Sequence, residues 1–245
     1  MQILAITANK GGTGKSTSAA ALAQAAASTG RKVLAIDLDP QGNLSFMLNA
    51  DQTGGGSLEL LHGADPAQLI RHTSQGVDAI TATPELSQER TAQGSGRRLA
   101  KALRQIRDNY DLIIIDATPH NGELVFNALQ AADGLLIPLD TDNSSLQGLY
   151  QTTDIAHQIQ RSNPGLEILG AILTKYDNRP KINRYIREVM AETGAEIGAP
   201  LLMVIRPGIA IKEAQSLQRS LYEYAPKSNP AADYMELLEL LTKDR

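Results

Sequence analysis

The chain has 245 residues, of which 42% are hydrophobic and 20% are charged, and its formal net charge at pH 7 is -4. This length can bury a full hydrophobic core, and we expect a single domain over residues 1–245. The acidic balance gives no overall charge argument for nucleic-acid binding. Cysteine is absent, which excludes disulfides, thiolate zinc sites and cysteine-ligated iron-sulfur clusters and is typical of a reducing compartment.

Neither an export signal nor a membrane span is visible in the sequence. The first residues, MQILAITANKGG, lack the basic lead and the long apolar stretch of a signal peptide. No window approaches the roughly 18 apolar residues that a membrane-spanning helix requires. We therefore expect a cytoplasmic protein without a membrane span.

Short apolar runs alternate with helical patterns along the chain. Runs rich in Ile, Leu and Val predict strands buried on both faces, and they cover residues 3–6, 33–36, 112–115, 135–139, 168–173 and 201–205. Helical patterns cover residues 16–28, closed by Gly30, and residues 99–106, 144–159 and 182–190. This alternation predicts an α/β fold, with one mostly parallel twisted sheet, helices on both faces and a ligand site at the carboxyl ends of the strands.

A glycine-rich segment, KGGTGKST at residues 10–17, follows the first predicted strand and opens the first predicted helix. In this setting backbone amides and the positive end of the helix attract phosphate. We expect Lys15 to reach the β and γ phosphates of ATP and the Ser16 hydroxyl to coordinate Mg²⁺. The general pattern has glycine where this chain has Asn9, and Lys10 has no role in the standard loop. The segment therefore predicts a variant phosphate-binding loop.

Two acidic motifs stand at the ends of predicted strands. They are IDLDP at residues 36–40 and IIIDATP at residues 113–119. Carboxylates in these places can hold the waters of a bound Mg²⁺ or orient the water that attacks the γ phosphate. Each aspartate taken singly has an alternative interpretation as a helix cap or turn residue. Beside the phosphate-binding loop, we interpret Asp37, Asp39 and Asp116 as members of the nucleotide site.

These motifs, in this order, closely resemble the ParA/MinD group of deviant Walker A ATPases, and within it the ParA/Soj type that partitions plasmids and chromosomes. The resemblance spans nearly the whole chain. Besides residues 10–17 and 113–119, it rests on DLDPQGN at residues 37–43, ILTKYDNR at residues 172–179 and the closing segment at residues 204–234. It implies the P-loop NTPase fold.

The resemblance also implies a slow ATPase that forms an ATP-dependent sandwich dimer. Lys10 would cross the interface to the partner's nucleotide while Lys15 serves its own, and Asp39 would position the hydrolytic water. Asp37 and Asp116 would lie near the Mg²⁺ and its waters. The residues implied to contact ATP are Lys10, Gly11, Gly12, Thr13, Gly14, Lys15, Ser16 and Thr17, with Arg206 and Pro207 flanking the adenine.

DNA binding without sequence preference, and a ParB-like partner that stimulates hydrolysis, are further implications of the resemblance. The protein would then be nucleoid-associated when ATP is bound. Residues 170–230 are locally basic, with nine Lys and Arg against six acids. Candidate phosphate contacts are Lys175, Arg179, Lys181, Arg184, Arg187 and Arg219, with Arg206, Lys212 and Lys227 in the same segment. The alternative is a solvated surface of mixed charge.

A second basic group lies on the polar side of the helix predicted at residues 99–106 and just beyond its ends. Its members are Arg97, Arg98, Lys101, Arg104 and Arg107. They could also contact phosphate, but we interpret them as a solvated helix face. His120, next to the second acidic motif, is interpreted as a helix cap or surface residue rather than as a nucleotide sensor.

Three other classes of protein compete with this interpretation. A MinD-like membrane-positioning ATPase would need a basic amphipathic C-terminal helix, whereas the tail at residues 234–245 is acidic until its last residues and is better explained by packing against the domain. The electron-transfer branch with the nitrogenase iron protein requires cluster-ligating cysteines, which are absent. Biosynthetic ATP-dependent enzymes, such as dethiobiotin synthetases or amidotransferase relatives, generally lack Lys10 together with the DLDP sequence. The sequence does not identify the cargo that such an ATPase would partition or position.

Overall fold

A computed structural model describes residues 2–89, 95–118 and 122–243. Within them, eight strands form one sheet: β1 (Gln2–Ile6), β2 (Val33–Leu38), β3 (Arg71–His72), β4 (Asp78–Ile80), β5 (Leu112–Ala117), β6 (Gly134–Leu139), β7 (Glu167–Leu173) and β8 (Leu201–Val204). The strand order is β3-β4-β2-β5-β1-β6-β7-β8. Every neighbouring pair is parallel except β3 with β4, which is antiparallel.

Helices connect most of the strands. In the same described ranges they are α1 (Lys15–Ser28), α2 (Asn43–Met47), α3 (Ser57–Leu61), α4 (Pro66–Leu69), α5 (Arg98–Leu103), α6 (Glu123–Ala131), α7 (Asn143–Gln160), α8 (Lys181–Glu196), α9 (Ile209–Ser216), α10 (Leu221–Tyr224) and α11 (Asn229–Thr242). Short 3-10 helices cover Pro84–Gln88, Ser95–Arg97 and Arg107–Asn109.

The helices form a layer on each face of the sheet. One core contains apolar side chains of α3 to α8, and the other contains those of α1, α2, α9, α10 and α11. The central strands β1, β2, β5 and β6 contribute to both cores because alternate side chains point to opposite faces. Their continuous apolar runs follow from burial on both sides.

The predicted fold class is confirmed: the sheet is mostly parallel and carries helices on both faces. All six predicted strands are present, with ends that move by one or two residues. Strands β3 and β4 escaped prediction because they are two and three residues long and lack a long apolar run. The helix predicted at residues 99–106 ends earlier, at Leu103, where the chain tightens into bonds from Gln105 N to Ala102 O and from Ile106 N to Leu103 O.

The C-terminal helix α11 packs against α1, as expected from the spacing of its apolar residues. Tyr234, Leu237 and Leu241 are buried in the second core, and the Tyr234 hydroxyl lies 2.9 Å from Ser18 Oγ of α1. Among the described residues no helix is both long and apolar enough to cross a membrane. Pro119, His120 and Arg245, which entered the sequence interpretation, lie outside the described residues.

Candidate nucleotide site

The predicted phosphate-binding segment forms a loop between the carboxyl end of β1 and the first residue of α1. Two of its glycines adopt positive φ, 77° at Gly12 and 84° at Gly14, a conformation that other residues adopt only at a cost. A Cβ atom at Gly14 would also lie 3.3 Å from the side chain of Thr174. The sequence thus forms a tight loop whose close approach to the end of β7 requires glycine.

Two residues that follow β7 donate hydrogen bonds to the phosphate-binding loop. Thr174 Oγ1 donates to Thr13 O at 2.9 Å, and Lys175 Nζ donates to Gly12 O at 2.8 Å. The Lys175 backbone has a positive φ of 53°. Lys175, which the sequence grouped with the DNA-contacting candidates, therefore lies against the phosphate-binding loop.

Lys15 begins α1 and points back into the loop. Its side chain is buried, and Nζ donates to Lys10 O at 2.7 Å. Burial lowers the pKa of Lys15, while the nearby Asp116 and Asp39 carboxylates act in the opposite direction. A lysine ammonium beside the first turn of a helix can bind the outer phosphates of a nucleotide.

The three predicted aspartates come together at the carboxyl ends of the adjacent strands β2 and β5. Asp37 is the register partner of Asp116, and both are buried, as is Asp39. The charges of Asp39 and Asp116 are close enough to act on the pKa of Lys15. The structure therefore places all three carboxylates beside the phosphate-binding loop.

The hydrogen bonds of Asp37 and Asp39 differ. Asp37 Oδ2 accepts from the amide and the hydroxyl of Ser45 in α2, both at 2.8 Å, and its Oδ1 accepts from Asp39 N at 3.1 Å. Burial raises the pKa of Asp37 to about 6. Asp39 Oδ1 accepts from Gln41 N at 3.0 Å, and its Oδ2 has no hydrogen bond among the described residues. Asp37 is thus fixed by the protein, while Asp39 keeps a free oxygen.

Asp116 is the unusual member of the group. It is fully buried, and neither of its carboxylate oxygens has a hydrogen bond of normal geometry among the described residues. Burial, followed by the charge of Asp37, raises its pKa well above the ordinary value, and the neighbouring Ser16 hydroxyl acts in the opposite direction. Buried carboxylates are normally paired or coordinate a cation. Asp116 and Ser16 therefore fit a Mg²⁺ ion or its waters.

The described residues contain no group of three or more His, Asp or Glu that could hold a metal ion unaided. The oxygens of Ser16 and Asp116 suit Mg²⁺, because Mg²⁺ is commonly held by one or two protein oxygens, several waters and the phosphates of the substrate. The Ser16 hydroxyl and the Asp116 carboxylate would be the protein's contribution.

The side chain of Lys10 lies on the rim of the loop and has different partners from that of Lys15. Its Nζ forms an ion pair with Asp142, the N-cap residue of α7, and lies 3.4 Å from Ser145 Oγ. Although partial burial acts in the opposite direction, hydrogen bonds from Lys10, Ser144 and Ser145 lower the pKa of Asp142 to about 2. The two lysines of the loop thus have separate environments, one buried in it and one at its surface.

A cavity of about 380 Å³ extends from the loop toward the C-terminal segment. It is bordered by Gly14 and Thr17 on one side and by Arg206, Pro207 and Tyr234 on another. Its volume is that of a small-molecule site. The structure therefore brings Arg206 and Pro207, the predicted adenine neighbours, to the end of the phosphate-binding loop.

Asp233 of α11 fixes Arg206 at this cavity. It accepts from Arg206 Nε at 3.0 Å, from Nη2 at 2.5 Å and from the backbone amide at 2.8 Å. Asp233, Asp142, Ser45 and Thr174 were not singled out from the sequence. Thr174 lies within residues 172–179, one of the motifs on which the family resemblance rests, but the resemblance assigned no role to Thr174.

The predicted DNA contacts do not form one cluster. Arg179, Lys181, Arg184 and Arg187 lie together on α8 and the segment before it, whereas Arg219 follows α9 in the opposite helical layer. Several have internal partners. Arg179 pairs with Asp177 at 2.7 Å, Arg187 lies 5.9 Å from the centre of the Tyr176 ring, and Arg219 pairs with Glu223 at 2.6 Å. Arg206 and Lys212 line the cavity beside the loop.

The parallel sheet, the glycine loop opening a helix and the carboxylates at neighbouring strand ends define a P-loop nucleotide-binding protein. Comparison with known proteins agrees. Residues 1–168 match the family model described as an AAA domain.

Similarity to known proteins extends over nearly the whole chain. The chromosome-partitioning ATPase Soj of Thermus thermophilus is 33% identical over 96% of this chain and 93% of its own length. The chromosome partitioning protein ParA of Myxococcus xanthus is 35% identical over 99% of this chain and 89% of its own length. The chain belongs to the ParA/MinD-type family of P-loop ATPases.

One solved structure with the same fold is named as a biosynthetic enzyme and not as a partitioning ATPase. Cobyrinic acid a,c-diamide synthase from Mycobacterium smegmatis, with bound ADP and magnesium, superposes with a TM-score of 0.85 at 28% identity. The match covers 100% of this chain and 97% of that one. The fold alone therefore does not separate partitioning from biosynthetic activity.

Proposed function

We propose that this protein is an ATP-dependent, dimerising ATPase that binds DNA without sequence preference and partitions or positions a plasmid, chromosome or mobile element. The observation that carries the proposal is the placement of the two loop lysines. Lys15 is buried at the start of α1, whereas Lys10 stands on the rim of the loop, with 24% of its side chain exposed. Near-full-length similarity to named partitioning ATPases supports the same conclusion.

ATP with Mg²⁺ is the proposed ligand. The phosphates would lie against the loop and the first turn of α1, where Lys15 contacts them, and the base would enter the cavity beside Arg206 and Pro207. Bound Mg²⁺ supplies charge neutralisation of the β and γ phosphates. Ser16 and Asp116 would hold it or its waters, which fits the unpaired oxygens of Asp116.

Asp39 is proposed to position the attacking water. It projects beyond the end of β2, and its free oxygen can accept a hydrogen bond from that water. Phosphoryl transfer depends mainly on positioning and charge stabilisation. Because a second copy would add its Lys10 to the nucleotide, we expect hydrolysis to be slow until the dimer forms.

Dimerisation is proposed to depend on Lys10. Its ammonium can leave Asp142 and reach the nucleotide of a second copy, so that ATP supplies contacts to both subunits. Hydrolysis then removes the reason for association. The basic group on α8 would contact DNA phosphates and make binding salt-sensitive. A ParB-like adaptor would stimulate hydrolysis and release the protein from the nucleoid.

The experiment that tests this function measures binding to a random-sequence duplex with ATP, ADP or no nucleotide at two salt concentrations. Light scattering on the same samples gives the oligomeric state. We expect DNA binding that requires ATP, accompanies dimerisation and weakens as salt is raised. A dimer without DNA affinity would contradict the proposal and favour the alternative of a MinD-like or cargo-positioning ATPase that acts on a membrane or a protein assembly.

Similarity to the Mycobacterium smegmatis structure, which is named cobyrinic acid a,c-diamide synthase, supports the biosynthetic alternative. It predicts that ATP hydrolysis accelerates when a carboxylate acceptor and an ammonium salt, as the nitrogen donor, are supplied, and that the protein does not bind DNA. Assaying ATP turnover with cobyrinic acid plus an ammonium salt, and separately with duplex DNA, separates the two functions. Acceleration by the acceptor alone would favour the synthase.

A further inference from the structure

A second cavity, of about 460 Å³, lies between α5, α6 and the segment that follows α7. Its lining includes Arg97, Arg98, Lys101 and Arg104, together with Gln130. Because α6 leads into β6 and the segment after α7 leads into β7, the cavity lies near the amino ends of these strands. The nucleotide site lies at the opposite, carboxyl edge, so the two cavities are separate.

The charge of this cavity is unbalanced. Its lining contains no acidic residue, and of its four cationic side chains only Arg98 has an ion pair among the described residues, with Glu89 at 2.7 Å. Arg97 donates to the neutral carbonyl of Ser162 at 3.2 Å. The side chains of Lys101 and Arg104 have no hydrogen bond or ion pair with any described residue. Three uncompensated positive charges around one concavity repel each other, and an anion bound there would relieve that repulsion.

The polar wall of the cavity is fixed in place. Asn163 Nδ2 donates to the carbonyls of Leu129 and Ala132, both at 2.9 Å, which ties the segment after α7 to the end of α6. Gln130 Nε2 donates to Ser162 Oγ. A wall held in this way keeps its groups in position before a ligand arrives, which lowers the entropic cost of binding.

We propose that this cavity is an anion site, distinct from the nucleotide site, that binds a small molecule bearing two or more phosphate groups through Arg97, Lys101 and Arg104. Guanidinium groups bind phosphate oxygens in pairs, and the volume is that of small-molecule sites. The lining lacks an aromatic side chain and has Ala100 as its one apolar residue. The ligand is therefore recognised through its phosphate groups and not through a stacked base. Because Arg97, Lys101 and Arg104 are exposed, duplex DNA is the competing ligand, and the test below includes it.

The test is a calorimetric titration of sodium pyrophosphate in Mg²⁺-free buffer. Full-length protein with Lys15→Ala serves as the background, because this substitution removes the main phosphate ligand of the nucleotide site. We expect pyrophosphate to bind this background, and Lys101→Glu with Arg104→Glu to weaken binding by about tenfold or more, since hydrogen bonds to charged groups are among the stronger ones.

The matched control is Lys32→Glu with Lys243→Glu. Both residues are exposed: Lys243 follows α11, in the helical layer opposite to α5 and α6, and Lys32 precedes β2, which lies three strands from β6 in the sheet. This pair changes the net charge by the same amount and should leave pyrophosphate affinity within about twofold of the background, because distant exposed charges are screened. Lys101→Gln with Arg104→Gln repeats the test without negative charge and guards against misfolding, which thermal unfolding would report.

Three results would overturn the proposal. They are no pyrophosphate binding to the Lys15→Ala background, an equal loss in the cavity variants and the control pair, and no loss in either. A duplex-binding assay with ATP and otherwise wild-type protein separates a DNA surface from a small-anion site. A loss of DNA affinity specific to Lys101→Glu with Arg104→Glu would mean that the cavity is a DNA surface, and the small-anion site would be rejected.

Discussion

The ammonium of Lys10 is paired with the carboxylate of Asp142 within the same chain, at the N-terminus of α7. If Lys10 reaches a second copy's nucleotide in the dimer, it must give up this partner. The ion pair therefore stabilises the monomer, and its strength sets part of the cost of dimerisation. The pKa of Asp142, lowered to about 2, keeps the pair charged throughout the neutral range.

Asp142→Asn should make ATP-dependent dimerisation easier. The side chains of Lys10 and Asp142 are 24% and 48% exposed, so the pair is worth about 0–1 kcal/mol and its loss should tighten the dimer by up to about fivefold. Asparagine can still cap α7, which alanine cannot. Analytical ultracentrifugation with a slowly hydrolysed ATP analogue measures the effect. Glu223→Gln, which removes an exposed pair with Arg219, is the control, and an equal effect in both would contradict the role of Asp142.

Lys15→Ala and Lys10→Ala should separate nucleotide binding from dimerisation. Lys15 is the buried ammonium beside the loop, so its removal should reduce ATP affinity by about a hundredfold, the scale of one or two lost charge-assisted hydrogen bonds. Lys10 stands outside, so Lys10→Ala should bind ATP as a monomer and fail to dimerise. Fluorescent-nucleotide titration and light scattering measure the two properties. Loss of monomer ATP binding in Lys10→Ala would show that both lysines serve the same nucleotide.

Asp39→Ala should trap the ATP-bound dimer. Removing the carboxylate that positions the attacking water should lower the hydrolysis rate by about a hundredfold or more, while Lys15 and Ser16 still bind ATP and Mg²⁺. The variant should remain on DNA after ATP addition, whereas wild-type protein dissociates as ATP is consumed. Phosphate release and DNA retention are the measurements. Normal hydrolysis by Asp39→Ala would show that the catalytic assignment is wrong.

The parts of this site that could be predicted from the sequence are those with strong local patterns. The loop at residues 10–17 and the aspartates at strand ends follow from short motifs next to apolar runs. Asp142, Thr174 and Asp233 could not be assigned in this way, because each acts on a residue more than 25 positions away and is a common residue type. The short strands β3 and β4 were not predicted for a related reason, since their pairing depends on the rest of the sheet.

Gly14→Ala should weaken ATP binding more than Gly12→Ala. Both glycines have positive φ, so alanine strains the backbone at either position by about 1 kcal/mol or more. At Gly12 the added Cβ meets open space, but at Gly14 it lies 3.3 Å from Thr174, which anchors the loop. We expect nucleotide affinity to fall at least about threefold further in Gly14→Ala. Equal losses would show that contact with Thr174 does not matter.

Asp116→Asn should stabilise the protein without nucleotide while impairing Mg²⁺-dependent ATP hydrolysis. Asp116 is buried, and both carboxylate oxygens lack hydrogen bonds of normal geometry among the described residues, so its ionised form is costly in the folded state. Burial and the charge of Asp37 raise its pKa. The folded state therefore holds the proton more tightly than the unfolded state, and stability from this group is lost as pH rises through the folded-state pKa.

The gain in stability from Asp116→Asn should thus be small near pH 4 and grow as pH rises. In acid, wild-type Asp116 is neutral in the folded protein, whereas at higher pH the folded protein must either bury its charged form or keep its proton bound. Near neutral pH we expect the Tm to rise by a few degrees, since about 1 kcal/mol corresponds to roughly 2–4 °C in a chain of this size. Mg²⁺ with ADP should raise the wild-type Tm more than that of the variant, because a ligand that binds only the folded state stabilises it. A lower Tm for Asp116→Asn at every pH would mean that the carboxylate has a structural partner in the folded protein.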